Sequence, residues 1–181
     1  MKKTRLFISV SLFALLLIGV SSCVKNNAAP ASQAQNPALE KPQIDSFIAA
    51  KGYMMQEDPA ATGLMYQIVN WGDTTHRVNN DSTFAVVKYK GTLMNGAIFD
   101  STAADTTRTF DMTQPLAVQA FSYYVLKIGV GGMVRFVTPS IYAYGPQAIN
   151  DTNGNTIIPA NSPLYFEIQL VNVSNNSAVT N

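Results

Sequence analysis

Residues 83–94, TFAVVKYKGTLM, alternate apolar and polar side chains and run directly into Asn95-Gly96, with AIFDS following. Alternation at period two marks a half-buried strand. Asn-Gly between two such runs is the strongest short hairpin signal. The stretch therefore commits the chain to antiparallel pairing. It also raises a chemical question, since the apolar pair Ile98-Phe99 runs straight into one carboxylate, Asp100. Asp100 either caps the turn that closes the returning strand or stands at the edge of an apolar pocket, and the two roles are compatible.

Most of the remaining pattern is also extended. TGLMYQIVN, TFDM, MVRFVTPS and LYFEIQLVNV read as strands, the last one alternating over its whole length. Two segments depart from this. In QIDSFIAAKG, Ile44, Phe47 and Ile48 recur at helical spacing and Gly52 provides a stop. In AVQAFSYYVLKIGVGG, Val118, Phe121, Val125 and Ile128 do the same ahead of the glycines at 129, 131 and 132. Residues 141–163 read as a long loop rich in Gly, Asn and Pro. With 47% apolar and 13% charged residues in 181 positions, the chain has the material for a packed core. The expected class is α+β, an antiparallel sheet with a short helix packed on one face.

The N-terminus reads as an address. MKKTR is basic, LFISVSLFALLLIGV is apolar but shorter than a spanning helix, and SSC follows. Residues 1–22 are expected to be a signal peptide, with Cys23 resembling the lipidated first residue of a bacterial lipoprotein. Residues 23–40, small, polar and proline-bearing, read as a tether. Residues 41–82 form a helix-and-strand extension, 83–173 the main domain and 174–181 a polar tail. This layout places the protein in the cell envelope, held to a membrane by an N-terminal lipid.

Several chemistries are excluded. Without Lys2, Lys3 and Arg5 the chain has 9 basic against 11 acidic residues and no basic run, which argues against nucleic acid. One cysteine and one histidine leave no zinc set, and with no G-x-S-x-G elbow and His76 the only possible histidine base, nucleophilic hydrolysis is unsupported. DTNGN at 151–155 lacks the glycine offset and the closing acid of a calcium loop and reads as an Asx/Gly turn. No metal and no cofactor are expected.

Three blocks in order carry a resemblance. VKYKGTLMNGAIFDST, VGGMVRFVTPSIYAYG and IIPANSPLYFEIQLVNV resemble the successive motifs of FKBP-type peptidyl-prolyl cis-trans isomerases over roughly residues 83–173. The resemblance implies an antiparallel half-barrel wrapped round one short helix, rotation of X-Pro bonds as the activity, and proline-containing polypeptides as substrates. Carried over by motif, Tyr89, Phe99, Asp100, Tyr144 and Phe166 form the catalytic pocket, with Asp100 hydrogen-bonded to Tyr89. Ala117, Val118, Phe121, Ile157 and Ile158 contact substrate, with Phe121 as the floor in place of the family's tryptophan. Leu116 stands where an acidic residue is common, Arg108 falls on an aromatic position, and the loop at 146–156 is long. These departures imply weak macrolide inhibitor binding. They also keep open an alternative, a non-catalytic peptide-binding or chaperone lipoprotein of the same fold, and beyond it a structural surface lipoprotein.

Overall fold

The hairpin forms where the alternation places it. Strand β3 (Phe84–Leu93) returns as β4 (Ile98–Ser101) through a turn in which Gly96 has φ of 88°. Asp100 lies opposite Gly91 across the pair. The computed structural model of the chain describes residues 36–79 and 83–175. The signal segment, Cys23 and nearly all of the expected tether lie outside the described residues.

The other strands are β1 (Gln56–Glu57), β2 (Met65–Asn70), β5 (Arg108–Asp111), β6 (Met133–Thr138), β7 (Ile149–Asn150), β8 (Thr156–Ile158) and β9 (Leu164–Ser174). Seven of the nine form one antiparallel sheet in the order β1-β2-β6-β9-β3-β4. Strand β5 pairs with the first half of β3, along the edge whose second half is taken by β4. The last strand in the chain is thus central, bonded to β6 on one side and to β3 along its length on the other.

Alternation on the central strands sorts side chains between two layers. Val134, Phe136, Leu164, Phe166, Ile168 and Leu170 face helix α2 (Gln119–Val125), which contributes Phe121, Tyr124 and Val125. The intervening Val137 and Tyr165 face the other way, against Ile44 and Phe47 of helix α1 (Pro37–Lys51). The sheet therefore has a helix on each face, whereas the sequence pattern predicts one helix on one face. Residues 41–82 are not an appendage, because β2 pairs with β6 and α1 covers the back of the sheet.

Boundaries differ from expectation in three places. Helix α1 begins at Pro37, inside the expected tether, with the Asn36 side chain accepting from the Ala38 N–H at 3.0 Å and Pro37 in the first turn. A proline there gives up an N–H that has no helical partner anyway. Helix α2 closes after seven residues, although Ile128 beyond it is still fully buried. The long loop is partly structured: a 3-10 turn (Ser140–Tyr142) follows Pro139, and β7 pairs with β8. Asp151 accepts from the Asn153 and Asn155 N–H groups at 2.9 and 2.8 Å, so DTNGN is an Asx turn closing that small hairpin.

Two buried carboxylates tie the extension to the rest. Asp58 accepts from the hydroxyls of Tyr124 at 3.1 Å and Tyr123 at 3.3 Å, with Lys127 Nζ 3.7 Å away, and so fixes residues 58–64 to α2. Glu40, on α1, accepts from the Ser140 N–H at 2.8 Å with one oxygen and from the Ser140 hydroxyl with the other. That clamp holds the first residue of the 3-10 turn. Paired in this way, each carboxylate escapes the cost of an unsatisfied buried charge.

Burial raises the Glu40 carboxyl above its ordinary pKa of 4.5, against the two bonds from Ser140. Between the ordinary and the raised value the folded chain keeps a proton that the unfolded chain has lost. The associated stability is present below the ordinary value and is lost as pH rises through the raised one. Urea unfolding of wild type and Glu40→Gln from about pH 4 to about pH 7 should therefore show wild type losing stability relative to the variant as pH rises. Curves that stay parallel would refute this role for Glu40.

Candidate functional site

Between the sheet and α2 lies a cup of about 210 Å³. Its floor is Phe121, from the first turn of α2, and its walls are rings carried by separate strands. Phe121 meets Tyr89 (β3) edge-on with centroids 5.6 Å apart, Phe166 (β9) edge-on at 5.9 Å, and Phe110 (β5) tilted at 4.9 Å. Phe99 (β4) stands edge-on to Phe166 at 5.5 Å, and Phe136 (β6) stacks beneath it at 5.3 Å. Edge-to-face contact at these separations is the favoured arrangement for aromatic rings, so each ring holds its neighbour's orientation. The β3 backbone makes room for them: a Cβ on Gly91 would sit 2.5 Å from Phe99 Cζ and 3.0 Å from Phe166 Cε1.

The polar groups gather at the rim. The Tyr89 hydroxyl donates to Asp100 Oδ2 at 2.6 Å and accepts from Arg108 Nη1 at 2.8 Å, while Arg108 also reaches Asp100 Oδ2 at 3.4 Å. Burial pushes the Tyr89 phenol up to about 12, with Asp100 adding to the rise and Arg108 opposing it. The Arg108 guanidinium is raised further by its bond to Tyr89. Tyr144 follows the 3-10 turn, and its phenol is raised chiefly by burial, then by Asp100. Among the described residues no hydrogen bond engages the Tyr144 hydroxyl or the Val118 N–H. Both therefore remain available to a ligand's backbone.

Asp100 is neither a simple turn cap nor a buried charge. Its side chain is 48% exposed, and the β3–β4 turn is closed by Asn95, whose side chain accepts from the Ala97 N–H at 3.0 Å. A half-exposed ion pair contributes little to stability. What the arrangement supplies is a fixed dipolar edge on an otherwise apolar cup.

Of the residues singled out from sequence, Tyr89, Phe99, Asp100, Ala117, Val118, Phe121, Tyr144 and Phe166 line this one cup, as does Leu116. Ile157 and Ile158 do not. Pairing of Ile158 with Ile149 turns Ile158 into the core and leaves Ile157 partly exposed. Arg108 does not replace an aromatic wall either. Phe110, two residues along the same strand, provides that ring, and Arg108 lies across its face with its guanidinium carbon 5.4 Å from the centroid. The signal for Phe110 was present in the i, i+2 spacing from Arg108, which puts both on one face of β5.

Comparison with known proteins agrees with this geometry. Residues 75–171 match the family model described as FKBP-type peptidyl-prolyl cis-trans isomerase. The chain is 29% identical over 162 residues to the FKBP-type isomerase FkpA of Buchnera aphidicola, covering 86% of this chain and 64% of that protein. It is 30% identical over 146 residues to FkpA of Escherichia coli K12, covering 77% of this chain and 47% of that protein. The chain thus spans less than two thirds of the length of either relative. The crystal structure of a peptidyl-prolyl cis-trans isomerase from Pseudomonas syringae superposes with a TM-score of 0.59 at 26% identity, over 81% of this chain and 97% of that one. Motif order, the aromatic cup and the family match together place this chain in the FKBP-type peptidyl-prolyl cis-trans isomerase family.

Proposed function

We propose that the chain catalyses cis–trans rotation of X-Pro bonds in polypeptides and does so outside the cytoplasm on a lipid anchor. The observation that carries the reading is the convergence of six aromatic side chains, Tyr89 among them bonded to Asp100 and Arg108 at the rim, on a single small cup. Rotation about the amide faces about 18–20 kcal/mol because the C–N bond has partial double-bond character. A ten-thousandfold acceleration asks for about 5.5 kcal/mol of stabilisation specific to the twisted state.

No bond need be made or broken to supply it. A twisted amide loses its resonance, so its carbonyl carries less charge than the planar one. A cup that strips water from that carbonyl raises the planar state more than the twisted state. Phe99, Phe121, Val118 and Phe166 provide the dry wall. The Tyr144 hydroxyl and the Val118 N–H hold the substrate backbone in register. Asp100, held by Tyr89 and Arg108, is the dipolar edge against which the proline side of the substrate turns.

The purified chain at micromolar concentration should accelerate isomerisation of an X-Pro peptide. The double variant Tyr144→Phe, Asp100→Ala should lower kcat/KM roughly tenfold to a hundredfold, the scale of two lost hydrogen bonds. Absence of acceleration by wild type would sink the catalytic reading. Binding without turnover would instead favour a peptide-holding module, a role suited to the changed floor at Phe121.

A phenylalanine floor has no indole N–H and less surface than tryptophan, so macrolide inhibitors should bind weakly. Phe121→Trp should tighten inhibition in the same assay, and unchanged inhibition would count against the floor assignment. The envelope location rests on the apolar run ahead of Cys23. Mass spectrometry of protein extracted from membranes should find Cys23 as the lipid-modified first residue, whereas an unmodified chain in the soluble fraction would rule the anchor out.

A further inference from the structure

A second concavity, of about 340 Å³, lies on the other side of α2 from the aromatic cup. Ala60, Ala61 and Leu64 of the extension form one wall, Ala120 and Tyr123 of α2 the other, and Tyr142 of the 3-10 turn the end. Apart from the Gln119 amide and the tyrosine hydroxyls, the lining is apolar. The extension wall is rigidly built. The Asp58 N–H donates to Leu64 O at 2.7 Å, the Ala61 N–H to Asp58 O at 3.1 Å, and the Gly63 N–H to Glu57 Oε1 at 2.7 Å. Residues 60–64 lie outside the stretch matched by the family model, which begins at residue 75.

The two concavities share their partition. Ala117 and Val118 face the cup while Gln119 and Ala120, next in sequence, face the groove. Tyr144, just past the 3-10 turn, lines the cup, and Tyr142, the last residue of that turn, lines the groove. Ile141, next to Tyr142 in the 3-10 turn, is 42% exposed. The two linings meet across α2, a helix being about 10 Å wide with its side chains, and an extended chain advances about 3.3–3.6 Å per residue, so a chain seated in the cup reaches the groove within about two to four residues.

We propose that this groove is a secondary subsite of the isomerase, taking a large apolar side chain two to four residues from the proline of the same polypeptide. The inference rests on the isomerase reading and adds to it a substrate class: prolines with a bulky apolar residue nearby. Such a contact is made equally in the planar and twisted states, so it acts on KM and leaves kcat alone.

The test compares three peptides on the full chain. One is a tetrapeptide with a single X-Pro bond, and two are decapeptides carrying either Phe or Ser at two to four residues from the proline. The Phe decapeptide should show a KM about tenfold below the Ser decapeptide at equal kcat, the scale of partly burying one ring against its ordering cost. Ala60→Glu, a change at an exposed position, should shrink that ratio, and Tyr123→Ala should do so independently. Equal KM values for the two decapeptides would overturn the subsite. Failure to turn over even the tetrapeptide would reject the isomerase reading, and the groove would then be decided by binding. Amide shifts at Ala61 and Ala120 that follow the Phe decapeptide support it, and shifts that follow neither decapeptide reject it. Shifts that appear on deletion of residues 24–35 would give the groove to the chain's own leading segment and overturn the proposal.

Discussion

Everything described depends on the pairing of β9 with both β3 and β6. The strand is the last to appear in the chain and the middle one in the sheet, and its two faces bury different layers. Leu164, Phe166, Ile168 and Leu170 meet α2, while Tyr165 meets α1. Because side chains alternate strictly, a slip of one residue in this pairing would turn Phe166 out of the cup and put Tyr165 in its place. The full ladder from Phe84 to Leu93 and from Met133 to Thr138 fixes the register against such a slip. The aromatic cup is therefore a property of the sheet's register before it is a property of any loop.

The polar and apolar parts of the site divide the work. The rings come from β3, β4, β5, β9 and α2, all anchored in the core, and their edge-to-face contacts leave little freedom. The charges sit where water still reaches them, so the Asp100–Arg108 pair adds shape and a dipole more than stability. Tyr89 links the two regimes. Its ring packs against Phe110 and Phe121 in the wall, and its hydroxyl is bonded to both members of the ion pair.

The sequence made the sheet and the cup legible for different reasons. The hairpin at Asn95-Gly96, strand β9 and the helical spacing of Val118, Phe121 and Val125 are local patterns, and they fold as they read. Most cup residues are legible only through the order of three motifs, since an aromatic set alone reads as core. Pro42 makes the first turns of α1 read as tether, although Asn36-Pro37 is a good helix start. Phe110 carries only the i, i+2 spacing from Arg108 in a four-residue strand, a weak local signal. The Glu40–Ser140 clamp and the placement of Ile157 and Ile158 had no local signal. The first joins distant segments, and the second depends on a hairpin inside a stretch that reads as loop.

That clamp has a consequence in time. Glu40 and Ser140 are 100 positions apart, and β9 follows Ser140 by more than another twenty. A chain made from its N-terminus holds the carboxylate of the clamp long before its partner exists, and the centre of the sheet comes last. Closing contacts of such separation before they are rewarded is slow, as for other topologies dominated by distant pairings. The cup is thus a product of the finished chain, because Phe166 in its wall lies on the last strand to be made. A protein proposed to hasten the folding of others is, by its own topology, a late and cooperative folder.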